Sequence, residues 1–75
     1  MKVYLITIDK REDYSETVGP YSTKEKAISK VNELVRKNYG TRADECLRAY
    51  GGNLSEGTFY SEEETYEIVE RELDE

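Results

Sequence analysis

The sequence predicts an α+β fold: an antiparallel sheet of three or four strands, one long helix packed on one face, and room for a second, short helix. Three observations predict it. Val3-Tyr4-Leu5-Ile6-Thr7-Ile8 is a nearly unbroken run of β-formers. Ser22-Thr23-Lys24-Glu25 is a helix-start signature, followed by apolar residues three and four apart at Ala27, Ile28, Val31, Leu34 and Val35. A second β-rich segment, Tyr66 to Leu73, closes the chain. With 75 residues, all of residues 1–75 are expected to form one domain. A chain of this size buries only about 60% of the surface its unfolded form exposes, so its stability margin is thin.

Each element follows from its residues. Lys2 to Asp9 is apolar on both faces, the mark of a central strand. Lys10-Arg11-Glu12-Asp13 is a polar connection, and Tyr14 to Tyr21 is a second strand. Pro20 has no ladder donor, which places this strand at an edge. The spacing favours an antiparallel hairpin. Ser22 is expected to cap the helix by accepting from the amide of Glu25, whose side chain reaches back to Ser22. Loss of that hydroxyl would cost about 1 kcal/mol. Lys24, Lys26, Ser29, Lys30, Glu33, Arg36 and Lys37 form the polar face, and Gly40 is the stop. Thr41 to Tyr50 reads as a shorter helix with Ala43, Cys46, Leu47 and Tyr50 on one face, ended by Gly51-Gly52. Asn53 to Gly57 is a turn-rich link. Two readings of the end stay open by pattern: a helix capped at Ser61 with Tyr66, Val69 and Leu73 as its stripe, or strands at Thr58-Phe59-Tyr60 and Tyr66 to Leu73. Topology selects strands, because a third strand gives the helix a sheet to cover. The expected core is Val3, Leu5, Ile6, Ile8, Val18, Ala27, Ile28, Val31, Leu34, Val35, Leu47, Phe59 and Ile68.

Composition narrows the setting. Charged residues are 37% and hydrophobic ones 36%, but the apolar residues are periodic, which favours a folded chain over disorder. Cys46 is the only cysteine, so no disulfide forms within the chain and a reducing cytoplasm is expected. The apolar start is interrupted by Thr7 and closed by Asp9, too early for a secretory signal core, and no stretch is long enough to span a membrane.

Val3-Tyr4-Leu5-Ile6, then Val18-Gly19-Pro20-Tyr21-Ser22-Thr23-Lys24-Glu25-Lys26-Ala27, then Tyr66-Glu-Ile-Val-Glu-Arg-Glu-Leu-Asp74 resembles a diffuse group of small, uncharacterised phage and mobile-element proteins. Thr41 to Gly57 has no counterpart in that pattern. The resemblance implies a ββα core closed by a strand and a phage origin, hence a host cytoplasm. It implies no activity and no catalytic residue.

The residues argue against an enzyme. There is no histidine, the commonest general base. Cys46 has no histidine partner and falls on the inner face of a helix, which makes it a structural thiol. Gly51-Gly52 and Gly57 lack the Gly-Lys-Ser/Thr of a phosphate loop. Ser22 and Ser61 read as caps. Glu62-Glu63-Glu64 lacks the spacing of a calcium loop, so neither metal nor cofactor is expected.

Charge is the remaining signal. Glu62, Glu63, Glu64, Glu67, Glu70, Glu72, Asp74 and Glu75 face one cation, Arg71, giving the end of the chain −7, while residues 1–60 hold ten cations and nine anions. Phosphates would be repelled, so direct nucleic-acid binding through the basic helix face is not expected. The leading expectation is an acidic protein-binding domain, in its specific form a phage-encoded inhibitor docking on the basic groove of a host nucleic-acid-binding or defence protein. Glu62, Glu63, Glu64, Glu67 and Glu70, with Tyr60 and Tyr66, would form the surface. The alternative is a self-associating accessory domain, a homodimer through a sheet edge or a tyrosine patch. A third reading needs no partner: edge glutamates keep small proteins from aggregating.

Overall fold

The computed structural model describes residues 1–10 and 15–73. The Arg11-Glu12-Asp13 connection, Tyr14 and the last two carboxylates, Asp74 and Glu75, lie outside the described residues. The fold is α+β, with a five-stranded antiparallel sheet in the order β2-β1-β5-β4-β3. The elements are β1 (Lys2–Lys10), β2 (Glu16–Tyr21), α1 (Lys24–Tyr39), α2 (Ala43–Tyr50), β3 (Gly52–Asn53), β4 (Thr58–Tyr60) and β5 (Glu64–Glu72), with a 3-10 turn at Gly40–Arg42 between the helices. The sheet thus exceeds the three or four strands expected from sequence, because β3 is a two-residue strand held by backbone pairing to β4.

β1 is central, paired with β2 on one side and along nine residues with β5 on the other. That unbroken register fixes the two faces, since side chains alternate along a strand. Tyr4, Ile6 and Ile8 of β1 lie beside Glu70, Ile68 and Tyr66 of β5. They share the face covered by α1, whose Ala27, Val31, Val35 and Tyr39 are spaced four apart and buried. Cys46 of α2 and Phe59 of β4 complete this cluster. Val3, Leu5 and Val69 belong to the opposite face and stay out of it. The expected core is therefore corrected at several points. Val3 is buried as expected but on the other face, Leu5 and Ile28 are half-buried, and Leu34, Leu47, Val18 and Ile68 rim the cluster. Tyr39 and Tyr66, left out of the expectation, are inside it.

The cap of α1 lies one residue later than the capping box suggests. Thr23 is extended (φ −135°, ψ 155°), and its hydroxyl accepts from the Lys26 amide at 3.2 Å. Ser22 instead accepts from the Lys26 ammonium at 3.2 Å. Two adjacent hydroxyls are both competent caps, so residue type alone does not choose between them. The stabilisation moves with the geometry: Thr23→Ala should cost about 1 kcal/mol in urea unfolding, and Ser22→Ala clearly less. The reverse order would contradict this start of the helix. Asn32 ties α1 to the turn before β4, donating to Ile28 O at 2.8 Å and to Leu54 O at 2.9 Å. Among the described residues no helix is long and apolar enough to cross a membrane.

Candidate functional site

The strand alternation that builds the sheet also distributes the acidic residues. Glu64, Glu70 and Glu72 occupy the helix-side register of β5, Glu67 the opposite one, and Glu62 and Glu63 precede the strand in the turn from β4. The single acidic surface expected from sequence is thus divided. Glu70 lies 3.7 Å from the Lys2 ammonium and accepts from the Tyr4 hydroxyl at 3.3 Å, and Glu72 lies 3.4 Å from the Met1 amine. These pairs are exposed and hold little energy, yet they occupy one of the expected docking carboxylates, Glu70, and its neighbour Glu72 at the end of β5 remote from the turn. Tyr60 is half-buried, beside Thr65 on the uncovered face. Tyr66 is 1% exposed and has no surface to offer a partner. The reason is register: Tyr66 stands opposite Ile8 and between Phe59 and β1, in the middle of the sheet.

Glu64 has a structural position. Its Oε1 accepts from the Tyr39 hydroxyl at 2.9 Å and from the Tyr66 hydroxyl at 2.8 Å, and Asn38 donates to the Tyr66 oxygen at 3.0 Å. The Ser61 hydroxyl is 2.8 Å from that of Tyr39. Ser61 also accepts from the amides of Glu63 and Glu64 at 3.3 Å and 3.1 Å, and its own amide donates to Glu64 O at 2.9 Å. Ser61 caps as expected from sequence, but it caps a turn leading into a strand rather than a helix. This hydroxyl-rich knot fixes the shape of the acidic turn from below.

Burial first, and then the Glu64 carboxylate, push the Tyr39 hydroxyl from its ordinary 10.0 up to about 12. Tyr66 is raised by the same two causes, partly offset by the Asn38 hydrogen bond. A proton held more tightly in the folded state than in the unfolded one stabilises the fold in full below pH 10. That contribution is lost as pH rises through the folded value. Stability should therefore be level up to about pH 9 and fall steeply between pH 10 and about 12. Tyrosinate absorbance should show two hydroxyls ionising only with unfolding. Smooth titration of every tyrosine near its ordinary value, with the fold intact, would contradict the knot.

Above the knot, α2 and the acidic turn enclose an open cleft of about 350 Å³, lined by Tyr39, Arg42, Glu45, Cys46, Ala49, Tyr50, Ser61, Glu62 and Glu63. α2 begins after the 3-10 turn, so its Glu45 and Ala49 stand one turn apart beside the cleft. Glu45, Glu62 and Glu63 are exposed and enter no ion pair among the described residues. Tyr50 is 45% exposed. The Arg42 guanidinium sits 5.9 Å from the Tyr39 ring centre, a cation over an aromatic face. Glu62 and Glu63 were legible as site residues from charge. Glu45, Arg42 and Tyr50 were not, because only the folding of α2 against the turn brings them there. Among the described residues no group of three or more potential metal ligands is gathered.

Compared with known proteins, the chain matches no family model, no curated protein and no solved structure. The likeness to small phage proteins accordingly has only its own residues behind it.

Proposed function

We propose that this chain is a non-catalytic, protein-binding domain that receives a basic segment of its partner in the cleft between α2 and the Ser61–Glu64 turn. One observation carries the reading: three carboxylates that enter no ion pair among the described residues and one guanidinium line a single cleft with an aromatic floor. An arginine or lysine chain lays its stem on Tyr50, Ala49 and Cys46 and presents its charge to Glu45, Glu62 and Glu63. The excess of anions steers the encounter. The Ser61–Tyr39–Glu64 knot holds the turn in place, so little ordering is needed on binding. In its narrower form the reading makes the domain an inhibitor of phage origin, seated on the basic groove of a host nucleic-acid-binding or defence protein. Its carboxylates then stand where phosphates would run.

Calorimetry with a short arginine-rich peptide tests this. Binding should weaken as salt rises. Glu62→Gln combined with Glu63→Gln should weaken it about tenfold, two charge contacts at roughly 0.7 kcal/mol each. Glu67→Gln should leave it unchanged. Equal binding by wild type and the double variant would remove the cleft as the site.

A further inference from the structure

The sheet face away from the helices has no cover among the described residues. Its centre is Leu5 and Val69, half-buried apolar side chains outside the core cluster, with Val3 beside them already buried at 8% exposure. Met1, 75% exposed, and Leu73, 47% exposed, extend the same stripe. Two charges flank it on β5: Glu67 beside Thr7, and Arg71 beside Val3. Neither enters an ion pair among the described residues. Four residues of strand separate them, roughly 13 Å, too far to pair with each other. Read outward from Leu5 and Val69, the face is anionic one way and cationic the other.

We propose that two copies of this chain stack through these faces about a two-fold axis that passes over Leu5 and Val69 and lies across the strands. That axis reverses strand direction. Glu67 of each copy then meets Arg71 of the other, Leu5 and Val69 close on their own counterparts, and Val3 of each copy lies over Thr7 of the other. An axis running along β5 would stack that strand on its own copy with like charges opposed, and one running between β1 and β5 would set Glu67 over Thr7 and Arg71 over Val3, leaving both charges without a partner. Charge thus selects one of the two arrangements. The edges offer no competing route. β2 carries Pro20 and an irregular register opposite Tyr4 to Ile6, and β3 is only two residues long, both of which hinder strand addition. Stacking by faces therefore replaces the edge pairing considered from sequence. The contact is small. Nine residues of strand and three strand widths cover roughly 30 Å by 14 Å, below the usual ~800 Å² per partner. The dimer is accordingly concentration-dependent. It does not depend on the cleft, which lies at the α2 side of the sheet.

Sedimentation equilibrium of the full chain, from micromolar to millimolar concentration, reads the outcome. The mass should rise towards twice that of one chain. Arg71→Glu, or Glu67→Arg, should each raise the dissociation constant about tenfold or more, about 1.4 kcal/mol over the two symmetry-related pairs that each substitution alters. The combined swap, Glu67→Arg with Arg71→Glu, should restore it, since the pattern is again self-complementary. If a single reversal lowers the melting temperature, the neutral Glu67→Gln reads the same pair with a smaller loss. A wild type that stays monomeric to millimolar concentration overturns the proposal. So do growth beyond a dimer, single reversals without effect, or a swap that fails to restore association.

Discussion

Phe59→Ala should leave little of the native state. Phe59 has 0% exposure and sits in the three-residue strand β4. Its ring centre is 4.9 Å from that of Tyr39, tilted 53°, and 5.9 Å from that of Tyr66, near edge-on at 81°. Truncation removes the ring's burial and leaves a hole bounded by two aromatic rings whose hydroxyls are tied to Glu64. Those ties restrain both rings from collapsing inward, so the cost should fall at about 3–5 kcal/mol, the range for buried phenylalanine. At roughly 0.05–0.15 kcal/mol per residue, the whole domain has about 4–11 kcal/mol to lose. Thermal unfolding should therefore drop by more than about 12 °C. A smaller shift would mean that β4 is not anchored through this ring.

The second large effect is expected at Gly57, where an ordinary substitution meets two obstacles. Its φ is +81°, a region that costs an L-residue about 1–2 kcal/mol. A Cβ built there would stand 2.1 Å from Ile68 Cδ1, 3.0 Å from Ile68 Cγ1 and 3.3 Å from Ile28 Cγ1. Ile68 would have to leave its place against the core, at about 1–3 kcal/mol. Gly57→Ala should thus cost about 2–5 kcal/mol in urea unfolding. Gly40 provides the control. Its φ is +54° and its ψ −124°, and nothing lies within 4 Å of the built Cβ, so Gly40→Ala should show a backbone cost alone, about 1–3 kcal/mol. A second readout isolates the packing of the 54–57 turn on α1 and β5: Ile68→Val, which shortens the side chain a Cβ at position 57 would meet, should recover part of the Gly57→Ala loss and none of the Gly40→Ala loss. No such recovery would contradict that packing.

Much of the fold was legible because it rests on local rules. The β-run at Val3–Ile8, the stripe at Ala27, Val31 and Val35, and the breaks at Gly40 and Gly51 act through short-range chemistry. The unread parts depend on long-range partners. β3 has no side-chain signature, because Gly52 and Asn53 are strand only through the backbone of β4. Tyr39 continues the helix stripe by the same four-residue step as Val31 and Val35, but tyrosine types as an edge residue until Glu64 and Ser61 satisfy its hydroxyl in the interior. Tyr66 was misplaced for the same reason. Its neighbours Glu64 and Glu67 look like a surface, yet Glu64 reaches inward as an acceptor and only Glu67 faces away.

The same alternation explains how the acidic end was half legible. Net charge located it, but a strand sends successive side chains to opposite faces. Carboxylates adjacent in sequence are thereby separated in space. Only Glu62 and Glu63, outside the strand, remain together, and they are joined by Glu45 from the helix α2, earlier in the chain. Binding by bulk charge would engage all of β5, whereas binding by a shaped site engages the cleft.

Amide-resolved magnetic resonance during titration with the arginine-rich peptide separates these most directly. The account predicts shifts grouped at Arg42 to Tyr50 and Ser61 to Glu64, saturating together. Shifts spread evenly over Glu67 to Glu72, or no saturable shift at low salt, would contradict it.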